Sequence, residues 1–95
     1  MFKISMKDVE LFTNLEITHY EFNSYLNILT DIRNSKGYNE EYWNTWNDYI
    51  KVLVEYETLK EQLRIQFVVP IVGEDYNGSW EANFEEGVVY INEAN

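Results

Sequence analysis

The chain opens on an alternation. Phe2, Ile4 and Met6 are separated by Lys3, Ser5 and Lys7, a period of two that predicts a short half-buried strand over 2–6. Val9, Leu11 and Phe12 fit a second strand or one helical turn equally well, and 8–13 stays open on pattern alone. The period then lengthens. Thr18-His19-Tyr20-Glu21 has the form of a capping box, with Thr18 as N-cap and Glu21 at the third helical position. Phe22, Tyr25, Leu26, Leu29 and Ile32 follow at helical spacing. Arg33 suits the negative end of a helix, and Asn34-Ser35-Lys36-Gly37 is a stop signal, so a helix is predicted over 18–34.

Asn39 is a good N-cap, and Glu40 and Glu41 belong in a positive first turn. Trp46, Tyr49, Leu53, Tyr56 and Leu63 fit three- and four-residue steps, with Lys60 interrupting the series and Trp43, Ile50 and Val54 widening the stripe. A helix over 40–63 is predicted, roughly 35 Å long at 1.5 Å per residue. Beyond Arg64 the run 65–72 is β-branched and reads as a strand, with Pro70 marking an edge or bulge. Asn77-Gly78 signals a turn. Trp80, Ala82 and Phe84 alternate with Glu81, Asn83 and Glu85, a strand with one dry and one charged face. After a turn at Glu86-Gly87, Val88-Val89-Tyr90-Ile91 makes a last strand. The expectation is an α+β fold: two helices, about 18–34 and 40–63, packed on a small antiparallel sheet formed mainly by the C-terminal strands. The 65–72, 80–85 and 88–91 segments would run as a meander.

The 95 residues allow one domain, 1–95, with no linker and no repeat. A core is affordable at this length because 45% of residues are hydrophobic and 17% aromatic, which also excludes wholesale disorder. Charge changes the picture more. Seventeen Asp and Glu face seven Lys and Arg, for a net charge of -10. Residues 65–95 carry six acids (Glu74, Asp75, Glu81, Glu85, Glu86, Glu93) and no Lys or Arg at all. Direct binding to a nucleic-acid backbone needs the opposite sign, and so does adsorption to anionic lipid. The natural complement is a basic partner.

Several chemistries are set aside on residue type. The absence of cysteine excludes disulfides and thiolate metal sites. His19 is the one histidine and has no nucleophile motif beside it, so an ordinary surface or partly packed side chain is the better reading. Asp75-Tyr76-Asn77-Gly78 brings its glycine too early for a calcium loop. The neighbours Glu40-Glu41 and Glu85-Glu86 point in different directions and make no acid–base pair. Neither enzymatic activity nor a cofactor or metal is expected. No apolar run approaches a membrane span, and the first residues lack a signal-peptide core, so a cytoplasmic protein is expected. Asn occurs 11 times and Ile 8, but Ala twice, the residue usage of an AT-rich bacterial or phage genome.

The remaining chemistry is a surface. Glu41, Asp48 and Glu55 recur every seven residues as a slowly drifting stripe on the second helix. Glu81 and Glu85 would share a strand face two steps apart. With Glu74, Asp75 and Glu86 these form the candidate partner-binding surface, carboxylates on a rigid scaffold that imitate a phosphate track. The expected partner is a basic nucleic-acid-binding protein: a histone-like protein, a restriction or CRISPR effector, or a transcription factor of a bacterial host. The expected role is inhibition by DNA or RNA mimicry, in kind like the DNA-mimic inhibitors of phages and mobile elements. An immunity protein or antitoxin covering a basic nuclease uses the same electrostatics, and a structural or assembly subunit is a third class. Trp43, Tyr49 and Tyr56, on the flanks of a stripe too wide for one short helix to cover, are the expected interface of a homodimer.

Overall fold

The structure, a computed structural model, describes residues 2–92. Its elements run β1 (Phe2–Ser5), α1 (Glu10–Lys36), α2 (Glu40–Leu63), a π-helical turn (Arg64–Val68) with a closing α-helical turn (Val69–Val72), β2 (Trp80–Asn83) and β3 (Val88–Ile91). The architecture is α+β: a long antiparallel helical hairpin with a three-stranded antiparallel sheet against one end. The molecule measures 48 × 29 × 18 Å, so the tip of the hairpin stands clear of the sheet.

α1 begins eight residues before the predicted N-cap. Asp8 takes a positive φ of 63° and turns the chain, Val9 N–H bonds Met6 O at 3.1 Å, and the helix starts at Glu10. Thr18 is therefore no cap. Its side chain is buried, and Oγ1 donates back along the helix to Leu15 O at 3.0 Å. The reason lies in the stretch left open on pattern: Phe12 and Leu15 both reach the core only if the helical spacing extends upstream. At the other end Gly37, with φ 76°, donates its N–H to Arg33 O at 3.0 Å and ends the helix, the conformation for which glycine is favoured.

α2 has the predicted bounds. Asn39 Oδ1 accepts the Tyr42 N–H at 2.9 Å, as an N-cap should. The run 65–72, expected as a strand, is helical instead. Nothing stops the helix at Arg64, and the π turn ends two residues before Pro70, whose ring and missing N–H disrupt an ordinary i→i−4 ladder. The segment then buries Val68 and lays Phe67 and Val72 against the core. Gly73, φ 90°, closes the turn through its N–H to Val69 O at 2.8 Å.

With 65–72 helical, the N-terminal strand supplies the third member of the sheet, and the strand order is β1-β3-β2. Phe2 and Trp80 flank Ile91; Ile4 and Ala82 flank Val89. Central β3 buries Val89 and Ile91 completely. They meet Met6, Phe12, Leu15, Leu63 and Val68 in one core at the sheet end, while Leu29 and Ile32 are buried further out along α1. β2 ends at Asn83, earlier than predicted, because 84–87 form the turn: Asn83 O accepts the Gly87 N–H and Asn83 Oδ1 the Glu86 N–H, both at 2.9 Å.

The 73–79 loop is pinned by Tyr76. Its ring packs on the core, and it lies so close to Gly78 that a Cβ there would overlap the Tyr76 hydroxyl and stand 2.8 Å from Asn92 O. Gly78→Ala is expected to destabilise the fold by about 1–3 kcal/mol, as overpacking against backbone does. Thermal denaturation checks this, with Gly37→Ala, where a Cβ meets open space but the φ is positive, showing the backbone cost alone.

Candidate interaction surface

Glu41, Asp48 and Glu55 are exposed along α2, successive members about 10.5 Å apart by helical rise. The Glu41 carboxylate meets Lys36 Nζ at 3.1 Å, which sets this stripe beside the C-terminal end of α1. The sheet lies elsewhere. Lys60 Nζ sits 5.8 Å from the Trp80 ring and 6.0 Å from the Tyr56 ring, so β2 covers the Tyr56–Lys60 side of α2, about a third of a turn from the acidic stripe.

Glu74, Asp75, Glu81, Glu85 and Glu86 are also exposed, all at the sheet end. Glu74 lies 3.5 Å from Arg64 Nη2, and Arg64 is itself held by Glu61 at 2.6 Å. Glu81 stands on the outer face of β2, in register with Tyr90 and Lys3. Glu86 accepts the Tyr90 hydroxyl proton and lies 3.7 Å from Lys3 Nζ, so it belongs to the sheet's own polar lattice. Glu85 falls in the 84–87 turn, and the strand face expected to carry both Glu81 and Glu85 does not form. The candidate carboxylates thus make two groups, one along the hairpin and one around the sheet, with Asp48, Glu55, Asp75, Glu81 and Glu85 in no ion pair or side-chain hydrogen bond among the described residues.

Of the expected dimer contacts, Trp43 is half exposed and belongs to a ladder of rings at the hairpin tip: Tyr38, Tyr42, Trp43, Trp46 and Tyr49, with successive centroids 4.9 to 6.4 Å apart. Tyr49 is partly buried in that ladder, and Tyr56 turns inward, 4.8 Å from Phe22 and 6.0 Å from His19. Pattern reading missed a second exposed apolar set, Ile17, Ile28, Val54 and Ile65, because a stripe on the solvent side of a helix has the same period as one on the core side.

His19 is partly packed, as expected, among Tyr20, Phe22, Tyr56 and Phe84. Asn23 Nδ2 lies 3.2 Å from its Nε2, and its buried Nδ1 has no partner among the described residues. It forms one wall of a cleft of about 220 Å³ with Leu15, Lys60, Trp80 and Phe84. No cluster of three metal-ligating side chains occurs among the described residues. Among the same residues, no helix is long and apolar enough to cross a membrane.

Two tyrosines are held protonated above their ordinary range near 10. Burial and then the Glu57 charge raise Tyr56; the hydrogen bond to Glu86 does most for Tyr90, followed by burial and the Glu86 and Glu81 charges. A raised folded value means stability present below the unfolded value and lost as pH climbs through the folded one. The melting temperature is expected to fall as pH rises above about 10, less steeply in Tyr90→Phe. Melts across that range check it; identical slopes in the two proteins would contradict it. Glu61 is the opposite case. Hydrogen bonding to Arg64 outweighs desolvation and holds its carboxyl low, so its contribution is present at neutral pH and lost on acidification.

Comparison of the chain with protein families, with curated proteins and with solved structures finds no match.

Proposed function

We propose that this chain is a non-enzymatic acidic interaction module that occupies the nucleic-acid-binding surface of a basic bacterial protein, acting in the cytoplasm and encoded by a phage or mobile element. One observation supports it above the others. The last third of the chain has six acids and no cation, and the five of those acids among the described residues are all solvent-facing while Val88, Val89 and Ile91 go to the core. Folding thus holds carboxylates on a rigid sheet end and along a rigid helix, where they are pre-ordered for a basic groove. Exposed opposite charges steer fast association that salt screens.

The test is capture from a nuclease-treated bacterial lysate on the immobilised protein. The expected result is a retained nucleic-acid-binding protein that elutes with moderate salt and with excess duplex DNA. A retained protein that survives high salt and ignores DNA would contradict mimicry and favour an assembly subunit.

A further inference from the structure

We propose that a second copy of this chain docks on the outer face of α2, about a two-fold axis passing at Val54. This goes beyond the acidic surface and does not depend on it. Trp43, Val54 and Ile65 are 51%, 60% and 51% exposed, large apolar side chains on the side of the helix turned away from α1 and from the sheet. Each is eleven residues from the next. Eleven residues are close to three whole α-helical turns, so Trp43 and Val54 stand nearly in line, with half-buried Ile50 beside them, and Ile65 follows by the same step at the start of the π turn. The line is roughly 33 Å long, and its three apolar members are separated by exposed Asn47, Thr58 and Glu61.

Two equal steps make the strip read the same from either end. An antiparallel copy sets Val54 on the partner's Val54 and Trp43 on the partner's Ile65, an isologous contact that closes on itself. Charge fits as well. Lys51 and Glu55 flank the strip on one side, and the two-fold axis carries Lys51 to within about half a turn of the partner's Glu55, giving two pairs of opposite sign. Glu61 lies on the line itself, between Val54 and Ile65, with its charge matched by Arg64, and exposed Glu57 flanks the strip on the other side. Of the aromatic residues expected at a dimer contact from the sequence, Trp43 belongs to this face, whereas Tyr49 and Tyr56 do not.

The absence of cysteine makes the test direct. Val54→Cys should oxidise rapidly to a disulfide-linked dimer, because the axis brings the two thiols together, and a mixture of Trp43→Cys and Ile65→Cys chains should cross-link faster than either alone. Ile28→Cys, also solvent-facing and on α1, is the control. Light scattering of the unmodified chain should give twice 11.4 kDa. Val54→Glu, which sets two carboxylates face to face, should weaken self-association by at least ~100-fold without changing the circular dichroism. Added salt should tighten the pairing, since two chains of net charge -10 repel, the reverse of its effect on a basic partner. A mass of 11.4 kDa at all micromolar concentrations, or Val54→Cys oxidising no faster than Ile28→Cys, overturns the proposal and leaves the acidic surface untouched.

Discussion

Leu63→Ala is expected to cost about 2–5 kcal/mol, the range for a large-to-small change in a closed core. Leu63 is fully buried where α2 passes into the π turn, and it packs in the cluster of Met6, Phe12, Leu15, Val68, Val89 and Ile91. Both helices and the central strand meet in that cluster. A domain of this size has roughly 5–15 kcal/mol in all, so the change removes a large fraction of it. The melting temperature should drop by roughly 10–30 °C. Leu26→Ala, at an exposed position on α1, should stay within about 0.5 kcal/mol. Equal losses at the two sites would mean that the core does not sit at the sheet end.

The second large effect is on binding. Asp48→Asn, Asp75→Asn, Glu81→Gln and Glu85→Gln together lower the net charge from -10 to -6, since four negative charges are removed. All four side chains are exposed. Glu41, Glu74 and Glu86 are left alone because they hold Lys36, Arg64 and Tyr90. An exposed charge pair contributes about 0.2–1 kcal/mol, so the fourfold change should weaken a basic partner roughly 10–100-fold at low salt. The dependence on salt should flatten as well. Titration calorimetry at two salt concentrations reads both, and an unchanged melting temperature shows that the fold is intact. Wild-type affinity in the variant would remove these carboxylates from the interface.

The two helices and the placement of charge were legible in the sequence because each rests on local rules. Asn39 with Glu40 and Glu41 marks a helix start wherever the rest of the chain goes, and α2 has the bounds that this signal and its stripe predict. Thr18 misled because a capping box describes one possible end, while burial of Phe12 and Leu15 decides whether an end occurs there. The 65–72 run misled for a related reason. β-branched residues favour a strand only when an edge is free to receive it, and here β1 takes the place beside β3 while α2 simply continues. Exposure of the carboxylates followed from their type, but their division between the α2 flank and the sheet end did not. It depends on which side of α2 the sheet covers, a tertiary choice made by Tyr56, Lys60 and Trp80. Trp43 was legible as a flank residue, but that Val54 and Ile65 face outward with it was not, since helical spacing does not say which face finds a cover.

The most direct measurement is competition. A labelled DNA duplex is bound to the captured basic protein, and its fluorescence anisotropy is followed as this chain is added at low salt. Mimicry predicts that the anisotropy falls to the value of free DNA, that the Asp48/Asp75/Glu81/Glu85 variant needs roughly 10–100 times more protein to do so, and that raised salt abolishes the difference. Anisotropy that stays high, or rises because both bind at once, would contradict it.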